Sequence, residues 1–174
     1  MPEFDVQALF AALDERRLRE GLSWPGAAAE MWGMSAELNL RLERYHPISA
    51  STLTGMPRRG NTSCQHALVM LRWLGKPPEE FIATPHEATA GVPLPSADSA
   101  HRLRWDLVAL HAALNEARGE RGATWEQTAR RLHCTPSQLT GLPKAKFATN
   151  MRLAMRICQA LGRPSADFIY PADW

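Results

Sequence analysis

The sequence predicts an all-α fold made of two small helical bundles in tandem, and three observations lead to this. The stretch STLTGMP (51–57) returns as SQLTGLP (137–143), 86 positions later. Apolar residues recur at helical spacing, and no segment shows the strict alternation typical of a half-buried strand. A chain of 174 residues with 45% hydrophobic and 22% charged residues is long enough for two small globular units.

The repeat extends well beyond these seven letters. Residues 8–24 match residues 109–125 at an offset of 101, and residues 71–82 match residues 158–169 at an offset of 87. The offset falls from 101 to 86 before the STLTGMP stretch, so the first copy carries 15 additional residues. The first copy is therefore the elaborated one.

A connector separates the two copies. Residues 83–100 contain three prolines and one glycine without apolar periodicity, which is typical of a semi-stiff linker. The sequence thus predicts a first domain over 1–82, a linker over 83–100 and a second domain over 101–174. At about 3.1 Å per residue, the extended linker would span roughly 56 Å.

The first helix of the second copy is predicted from leucines at i, i+4, i+7 and i+11. These are Leu103, Leu107, Leu110 and Leu114. We expect this helix to end near Gly119 or Gly122.

Two short helices are predicted next, each from its N-terminal signal. Thr124 and Gln127 have the spacing of a capping box, and so do Thr135 and Gln138. Pro136 occupies the first helical position, where its missing N–H costs nothing. Gly141 and Pro143 end the second of these helices, and a last helix is expected from roughly 149 to 161.

Two helices joined by a tight turn, the second short and polar, form the helix-turn-helix geometry. The second copy, GATWEQTARRLHCTPSQLTGLPKAKFATNMRLAMRICQALGRPSADFI (122–169), resembles the lambda-repressor-like, or XRE-type, helix-turn-helix DNA-binding domain. ISASTLTGMPRRG (48–60) and LRWLGKPPEEFI (71–82) in the first copy resemble it too. The resemblance implies a sequence-specific transcriptional regulator that binds the major groove of double-stranded DNA through two non-identical helix-turn-helix domains.

The resemblance assigns six residues of the two recognition helices to the major groove. They are Ser51, Thr52, Thr54, Ser137, Gln138 and Thr140. A glutamine can make a bidentate hydrogen bond to adenine. Gln138 has an alternative role, because it also stands where it would close a capping box with Thr135.

Basic pairs follow both recognition stretches at the same place. Arg58 and Arg59 in the first copy correspond to Lys144 and Lys146 in the second. We expect these four side chains to contact phosphates, which supply most non-specific affinity for DNA; the alternative is a solvated loop.

The charge is unevenly divided and leaves a second function open. The first domain holds nine Lys/Arg and ten Asp/Glu, whereas residues 101–174 hold eleven and six. In this second function, the first domain would serve protein interaction or dimerisation and would not bind DNA. Its insertion places Leu38, Leu42 and Tyr45 at helical spacing, which suits either an added core helix or a docking face for a second subunit, so a homodimer stays open.

Several residue types that often carry chemistry are assigned to packing. Cys64, Cys134 and Cys158 are each matched by an apolar residue in the other copy, which favours buried thiols over a metal or redox site. By the same comparison we expect His66 and His111 to be packing or boundary residues, and the repeated Trp24 and Trp125 to pack.

The motif scan argues against catalysis. The chain has no HExxH, no GxSxG and no glycine-rich phosphate loop after a strand, so no enzymatic activity, cofactor, metal or small-molecule ligand is expected. Without an apolar run of about 18 residues or a basic N-terminus, we expect a cytoplasmic, nucleoid-associated protein without a membrane segment. The Ala/Arg/Leu/Pro-rich composition is typical of a bacterial or phage genome rich in GC.

Overall fold

The computed structural model describes residues 2–42, 46–144 and 149–174 and is mostly helical. The helices of the first half are α1 (Val6–Arg19), α2 (Trp24–Gly33), α3 (Ala36–Arg41), α4 (Ala50–Thr54), α5 (Met56–Arg59) and α6 (Cys64–Leu74). The second half contains β1 (Arg102–Trp105), α7 (Leu107–Glu120), α8 (Trp125–Arg131), α9 (Pro136–Thr140), α10 (Met151–Leu161) and β2 (Ile169–Ala172). Short 3₁₀ turns cover Pro78–Phe81, Glu87–Thr89, Leu142–Lys144 and Ser165–Phe168.

Strands β1 and β2 correct the expectation that the chain has no strand. They pair antiparallel, with Trp105 opposite Ile169 and Leu103 opposite Pro171. Leu103 therefore belongs to a strand, and α7 starts only at Leu107. Four residues allow too few alternations for a clear pattern, and the pairing partner lies at the far end of the second half.

Each half is closed by the same contact between its two ends. The Asp5 N–H donates to the Phe81 carbonyl at 2.8 Å, and the Asp106 N–H donates to the Phe168 carbonyl at 2.7 Å. Both aspartates also cap the helix that follows them. Residues that match in the sequence repeat thus make matching contacts in space.

The repeated tryptophans are packing residues, as expected. Trp24 stacks on Phe10 with ring centroids 5.1 Å apart, and the Arg17 guanidinium lies over its ring at 4.7 Å. Trp125 stacks in the same way on His111, at 5.3 Å. These stacks fix the start of α2 on α1 and the start of α8 on α7.

The two halves pack against each other through a reciprocal pair of hydrogen bonds. The Cys64 N–H donates to the Thr149 carbonyl at 2.8 Å, and the Met151 N–H donates to the Thr62 carbonyl at 2.9 Å. Residues 62 and 64 correspond to residues 149 and 151 in the repeat, so exchanging the halves reproduces the contact. The N-terminal ends of α6 and α10 are therefore related by an approximate two-fold rotation, and one hydrophobic core runs through both halves.

The connector from 83 to 100 contacts both halves. The Gln159 side chain accepts from the His86 N–H and donates to the Thr89 hydroxyl, which ties the connector to α10. From α6, the Arg72 guanidinium donates to the carbonyls of Ala97 and Asp98 at 2.9 and 2.8 Å. The connector is therefore folded onto the molecule instead of extended.

The insertion of the first half forms α3, which lies against the end of the connector. Leu38 is completely buried, and its N–H donates to the Ser99 carbonyl at 3.1 Å. Leu40, on the other side of α3, is 88% exposed. The Leu38 side of α3 thus adds to the interior, while Tyr45 lies outside the described residues.

Two of the three thiols are buried, which confirms their packing role. Cys64 and Cys158 lie in the core and Cys134 is half-buried, all three as free cysteines. Burial raises the pKa of each thiol. Within the described residues, every helix is too short or too polar to cross a membrane.

Candidate nucleic-acid interface

Helices α8 and α9 form a helix-turn-helix whose caps are those predicted. The Thr124 N–H donates to the Gln127 Oε1 at 2.8 Å, and the Gln127 N–H donates to the Thr124 Oγ1 at 3.2 Å. The turn contains His133 at φ 52°, a left-handed conformation that is uncommon outside glycine.

Arg156 of α10 holds this turn in place. Its guanidinium donates to the carbonyls of Leu132 and His133 at 2.7 and 2.9 Å. The same group lies 3.3 Å from a carboxylate oxygen of Glu3 in the first half. The position of the second helix-turn-helix is therefore linked to the first half by one ion pair.

Gln138 closes the capping box of α9. Its Oε1 accepts from the Thr135 N–H at 2.9 Å, and its own N–H donates to the Thr135 Oγ1 at 3.3 Å. The capping role is thus confirmed. A base contact by the exposed amide group stays a prediction.

The exposed threonine hydroxyls of α4 and α9 are oriented by hydrogen bonds to the backbone of their own helix. Thr54 Oγ1 donates to the Ala50 carbonyl at 3.1 Å, and Thr140 Oγ1 donates to the Pro136 carbonyl at 3.2 Å. A hydroxyl that donates inward still offers its lone pairs outward. In the major groove these oxygens would accept from the amino groups of adenine or cytosine.

The serines of α4 and α9 also make equivalent contacts. Ser51 lies 2.9 Å from the Ser49 hydroxyl, and Ser137 lies 3.0 Å from the Thr135 hydroxyl. In the first half the Thr52 hydroxyl is 3.0 Å from the same Ser49 group, where the second half has the Gln138 amide. The two helices therefore differ at that position in their side-chain hydrogen-bonding groups and agree at the serine before it and at the threonine two positions after it.

Gly55 and Gly141 are the C-caps of α4 and α9, and neither position has room for a side chain. A Cβ on Gly55 would lie 2.9 Å from the Ser51 carbonyl oxygen, and a Cβ on Gly141 would lie 2.8 Å from that of Ser137. Both glycines have ordinary negative φ values. Glycine is therefore needed there because it lacks a side chain, and not because the backbone is left-handed. The close approach lets α5, and the matching Leu142–Lys144 turn, begin immediately.

The predicted contact residues of the first half line one open groove of about 950 Å³. They are Ser51, Thr52, Thr54, Arg58 and Arg59. The sequence reasoning missed the other side chains of the groove. Among them are Asn61, Ser63 and His66 from the first half and Asn150 from the second.

Two of the groove residues that the sequence analysis missed carry a recognisable sequence signal, that of a helix N-cap. Ser63 and Asn150 are the N-caps of α6 and α10, and both residue types favour that position. Their mutual bridge brings the second half to the groove. No sequence pattern pairs these two caps with each other, so their shared place at the groove is a tertiary feature.

His66 is a boundary residue, one of the two roles expected for it. Its match Leu153 is buried, whereas His66 is exposed and lines the groove. Partial burial of the imidazole, followed by the charge of Arg59, lowers the pKa of His66. Both effects disfavour the protonated imidazole.

The basic residues differ in how firmly they are held. Arg59 donates to the Thr52 carbonyl at 2.7 Å, at the C-terminal end of α4. Arg58 is exposed in the groove, and Lys144 is exposed at the end of its 3₁₀ turn. Lys146 lies outside the described residues.

The bridge between the two halves lies at the edge of the groove. Ser63 and Asn150 pair where α6 and α10 begin, and α4 lines the groove at this bridge. Helix α9 is the repeat counterpart of α4, and its Gln138 and Thr140 side chains are exposed.

Comparison with protein-family models, with curated proteins and with solved structures finds no match. The chemistry of these helices and of the groove therefore has to be judged from their groups. Exposed hydroxyls, an amide and cations lie on α4, α9 and the short segments that follow them, and such groups suit a polyanion with hydrogen-bonding edges.

Proposed function

We propose that the protein is a sequence-specific, double-stranded DNA-binding transcriptional regulator. It contains two lambda-repressor-like helix-turn-helix domains, over 1–82 and 101–174, joined by the connector. The observation that supports this proposal is the reciprocal pairing of Cys64 with Thr149 and of Met151 with Thr62, from which we infer that α4 and α9 are related as in a dimer. A dimeric repressor uses this arrangement to enter successive major grooves.

The two units are expected to read unlike half-sites. In a symmetric dimer identical helices read a palindrome, with half-sites about 34 Å apart. Here Thr52 corresponds to Gln138, and an arginine pair corresponds to Lys144 and Lys146. One chain would thus bind an asymmetric site as a monomer, at the nucleoid.

The test is selection of bound sequences from random duplex DNA, followed by a salt titration of the best site. The whole chain must be used, because one core spans both halves. Two unlike boxes about one helical turn apart would support the proposal. No enrichment and no salt dependence would refute DNA binding.

Single substitutions assign the contacts. Arg58→Gln is expected to lower the slope of log K against log salt by about 1 without changing the consensus, because a phosphate contact carries no sequence information. Arg19→Gln, at the exposed end of α1, removes the same charge and is the matched control. A slope equal to that of the control would exclude Arg58 from the interface.

The alternative is a protein-interaction or dimerisation module in which the first domain does not bind DNA. It is supported by Leu40, which stands almost fully exposed on a helix that the second half lacks. Sedimentation of the wild type and of Leu40→Glu checks this reading. A dimer that Leu40→Glu dissociates, together with a single short DNA site, would favour the alternative.

A further inference from the structure

The hairpin of α7 and α8 is built like the hairpin of α1 and α2. The Arg17 guanidinium lies 4.7 Å from the centre of the Trp24 ring, and the Arg118 guanidinium lies 4.7 Å from that of Trp125. Each of these arginines also donates to the carbonyl five positions later, at 2.9 and 2.7 Å. Residues 101 positions apart therefore occupy equivalent places in the two hairpins, and their surroundings can be compared directly.

In the first half, two carboxylates, a cation and a tryptophan form one network on this hairpin. The Arg16 Nε donates to the Glu20 carboxylate at 2.8 Å, and the Arg16 guanidinium lies over the Trp73 ring at 4.1 Å. The Trp73 Nε1 donates to the Glu30 carboxylate at 3.1 Å. Trp73 reaches the hairpin from α6 and is buried. A buried ring and a cation thus lie between two carboxylates.

The second half has only small side chains where Arg16 and Trp73 stand in the first. Their counterparts are Ala117 and Ala160. A cleft of about 400 Å³ opens beside Ala117, between the end of α7 and α8, and the buried Leu114 contributes to its apolar lining. This volume is within the range of pockets that hold ligands.

The charge at this place is reversed relative to the first half. Glu20 corresponds to Arg121 and Glu30 to Arg131, and both arginines line the cleft. Both are exposed, and neither side chain makes a hydrogen bond or an ion pair with any residue that the structure describes. The third cation of the lining, Arg118, is by contrast held by hydrogen bonds within α7 and the loop after it. No Asp or Glu is among the described lining residues, so the cleft favours an anionic partner.

We propose that this cleft binds an acidic segment of a partner protein that inserts an aromatic side chain. The ring would take the place that Trp73 has in the first half and would pack on Leu114 and Ala117. Carboxylates beside the ring would accept from Arg121 and Arg131, in the planar geometry that suits a guanidinium. None of the described residues assigned to DNA lines the cleft, so the proposal does not depend on the proposed function.

The binding test titrates the whole chain with four short peptides. Ac-EDWDE-NH2 has the ring and the carboxylates, Ac-QNWNQ-NH2 keeps the ring without charge, Ac-EDADE-NH2 lacks the ring, and Ac-KKWKK-NH2 is basic. We expect the first to bind at one site, at least about tenfold more tightly than each of the others, because each of them loses the charge-assisted hydrogen bonds or the burial of the ring. Equal affinity of the acidic and the uncharged peptide would overturn the proposal, and so would binding of none.

Charge variants locate the site. Arg131→Glu is expected to weaken binding of Ac-EDWDE-NH2 at least about tenfold. Arg130→Glu makes the same change at the neighbouring position of α8, outside the lining of the cleft, and is the matched control that should keep the wild-type affinity within about twofold. The double variant Arg121→Glu/Arg131→Glu has the carboxylates of the first half and should prefer the basic peptide. If Arg131→Glu and Arg130→Glu behave alike, the cleft is not the binding site.

A filled cleft and a DNA titration complete the test. Ala117→Trp fills the cleft from α7 and should abolish binding of Ac-EDWDE-NH2 while the protein still melts cooperatively; unchanged binding in the folded variant would overturn the site. If this variant does not fold, the preference of the double variant decides alone. If the peptides do not bind and Arg131→Glu, but not Arg130→Glu, weakens binding of the selected DNA, the cleft contacts phosphates and the proposal is overturned. If no DNA site is selected, the proposed function fails, and the peptide titrations still decide the cleft.

Discussion

Arg72 is the side chain whose loss should disturb the tertiary structure most clearly. It projects from α6 into the junction of α3, the connector and β1. Its guanidinium donates five hydrogen bonds of 2.8 to 3.0 Å. The acceptors are the Ser35 hydroxyl and the carbonyls of Met34, Ala97, Asp98 and His101. Arg72→Met keeps much of the apolar stem and removes all five.

The expected loss follows from the burial of these bonds. Four are part-buried, and the bond to Asp98 is exposed. A hydrogen bond to a charged group contributes about 1.5–3 kcal/mol, but bonds that share one donor are not additive and water replaces the exposed one. We therefore expect Arg72→Met to lower the free energy of unfolding by about 3 kcal/mol. In a chain of this size, that lowers the Tm by about 6–12 °C.

The assay is urea and thermal unfolding together with hydrogen exchange of the peptide covering residues 97–105. Arg41→Met is the matched control, because it removes one exposed bond of 2.9 Å to the Ala100 carbonyl of the same segment. The control should lose about 0.5 kcal/mol. If Arg72→Met melts and exchanges like the control, the connector is not held by Arg72, and the reasoning from these five bonds is refuted.

Three further predictions concern the repeat and the core. Gln138→Ala should lower the free energy of unfolding by about 0.5–1 kcal/mol, whereas Gln138→Glu keeps the capping acceptor and the stability; equal melting of all three proteins would contradict the cap. Gly119 in α7 has open space around it, so Gly119→Ala should raise the free energy of unfolding by about 0.5–1 kcal/mol. Gly141→Ala should lower it, because the new Cβ would meet a carbonyl oxygen. The denaturant midpoints of the two variants check both predictions. Stability should fall above about pH 8.5, because unfolded thiols ionise there while the buried Cys158, whose pKa is raised by burial, keeps its proton. Cys158→Ala should flatten this pH dependence, and an unchanged slope would speak against it.

The helix starts were predictable because capping is local. Thr124 and Thr135 form the predicted capping boxes with residues three positions later. The same holds for Pro136 at the first position of α9. These caps depend only on the backbone conformation of one turn, so the local amino-acid sequence is nearly sufficient to predict where the helix starts.

Strand β1 was missed by the sequence analysis, although its residues show a short polar–apolar alternation. Arg102, Leu103, Arg104 and Trp105 do alternate, but Leu103 also fits the leucine stripe of the helix that follows. The pairing with residues 169–172, about 70 positions away, decides between the two.

The sequence predicted which first-half residues form the candidate interface, but it did not predict which other residues lie beside them. The five first-half residues assigned to DNA do line one groove. The contribution of Asn150 and the exposed position of His66 could not be read from the repeat, because the insertion makes the two copies unequal in their surroundings.

The sequence by itself determined the duplication, the caps of α8 and α9 and the glycines that follow α4 and α9. Each of these depends on a few neighbouring residues or on a comparison of letters. Only the tertiary structure decided the reciprocal bridge between the halves, the folded connector and the contribution of Asn150 to the groove. These depend on contacts such as Arg72 with Ala97 and Cys64 with Thr149, between residues whose separation in the chain leaves no periodic signal.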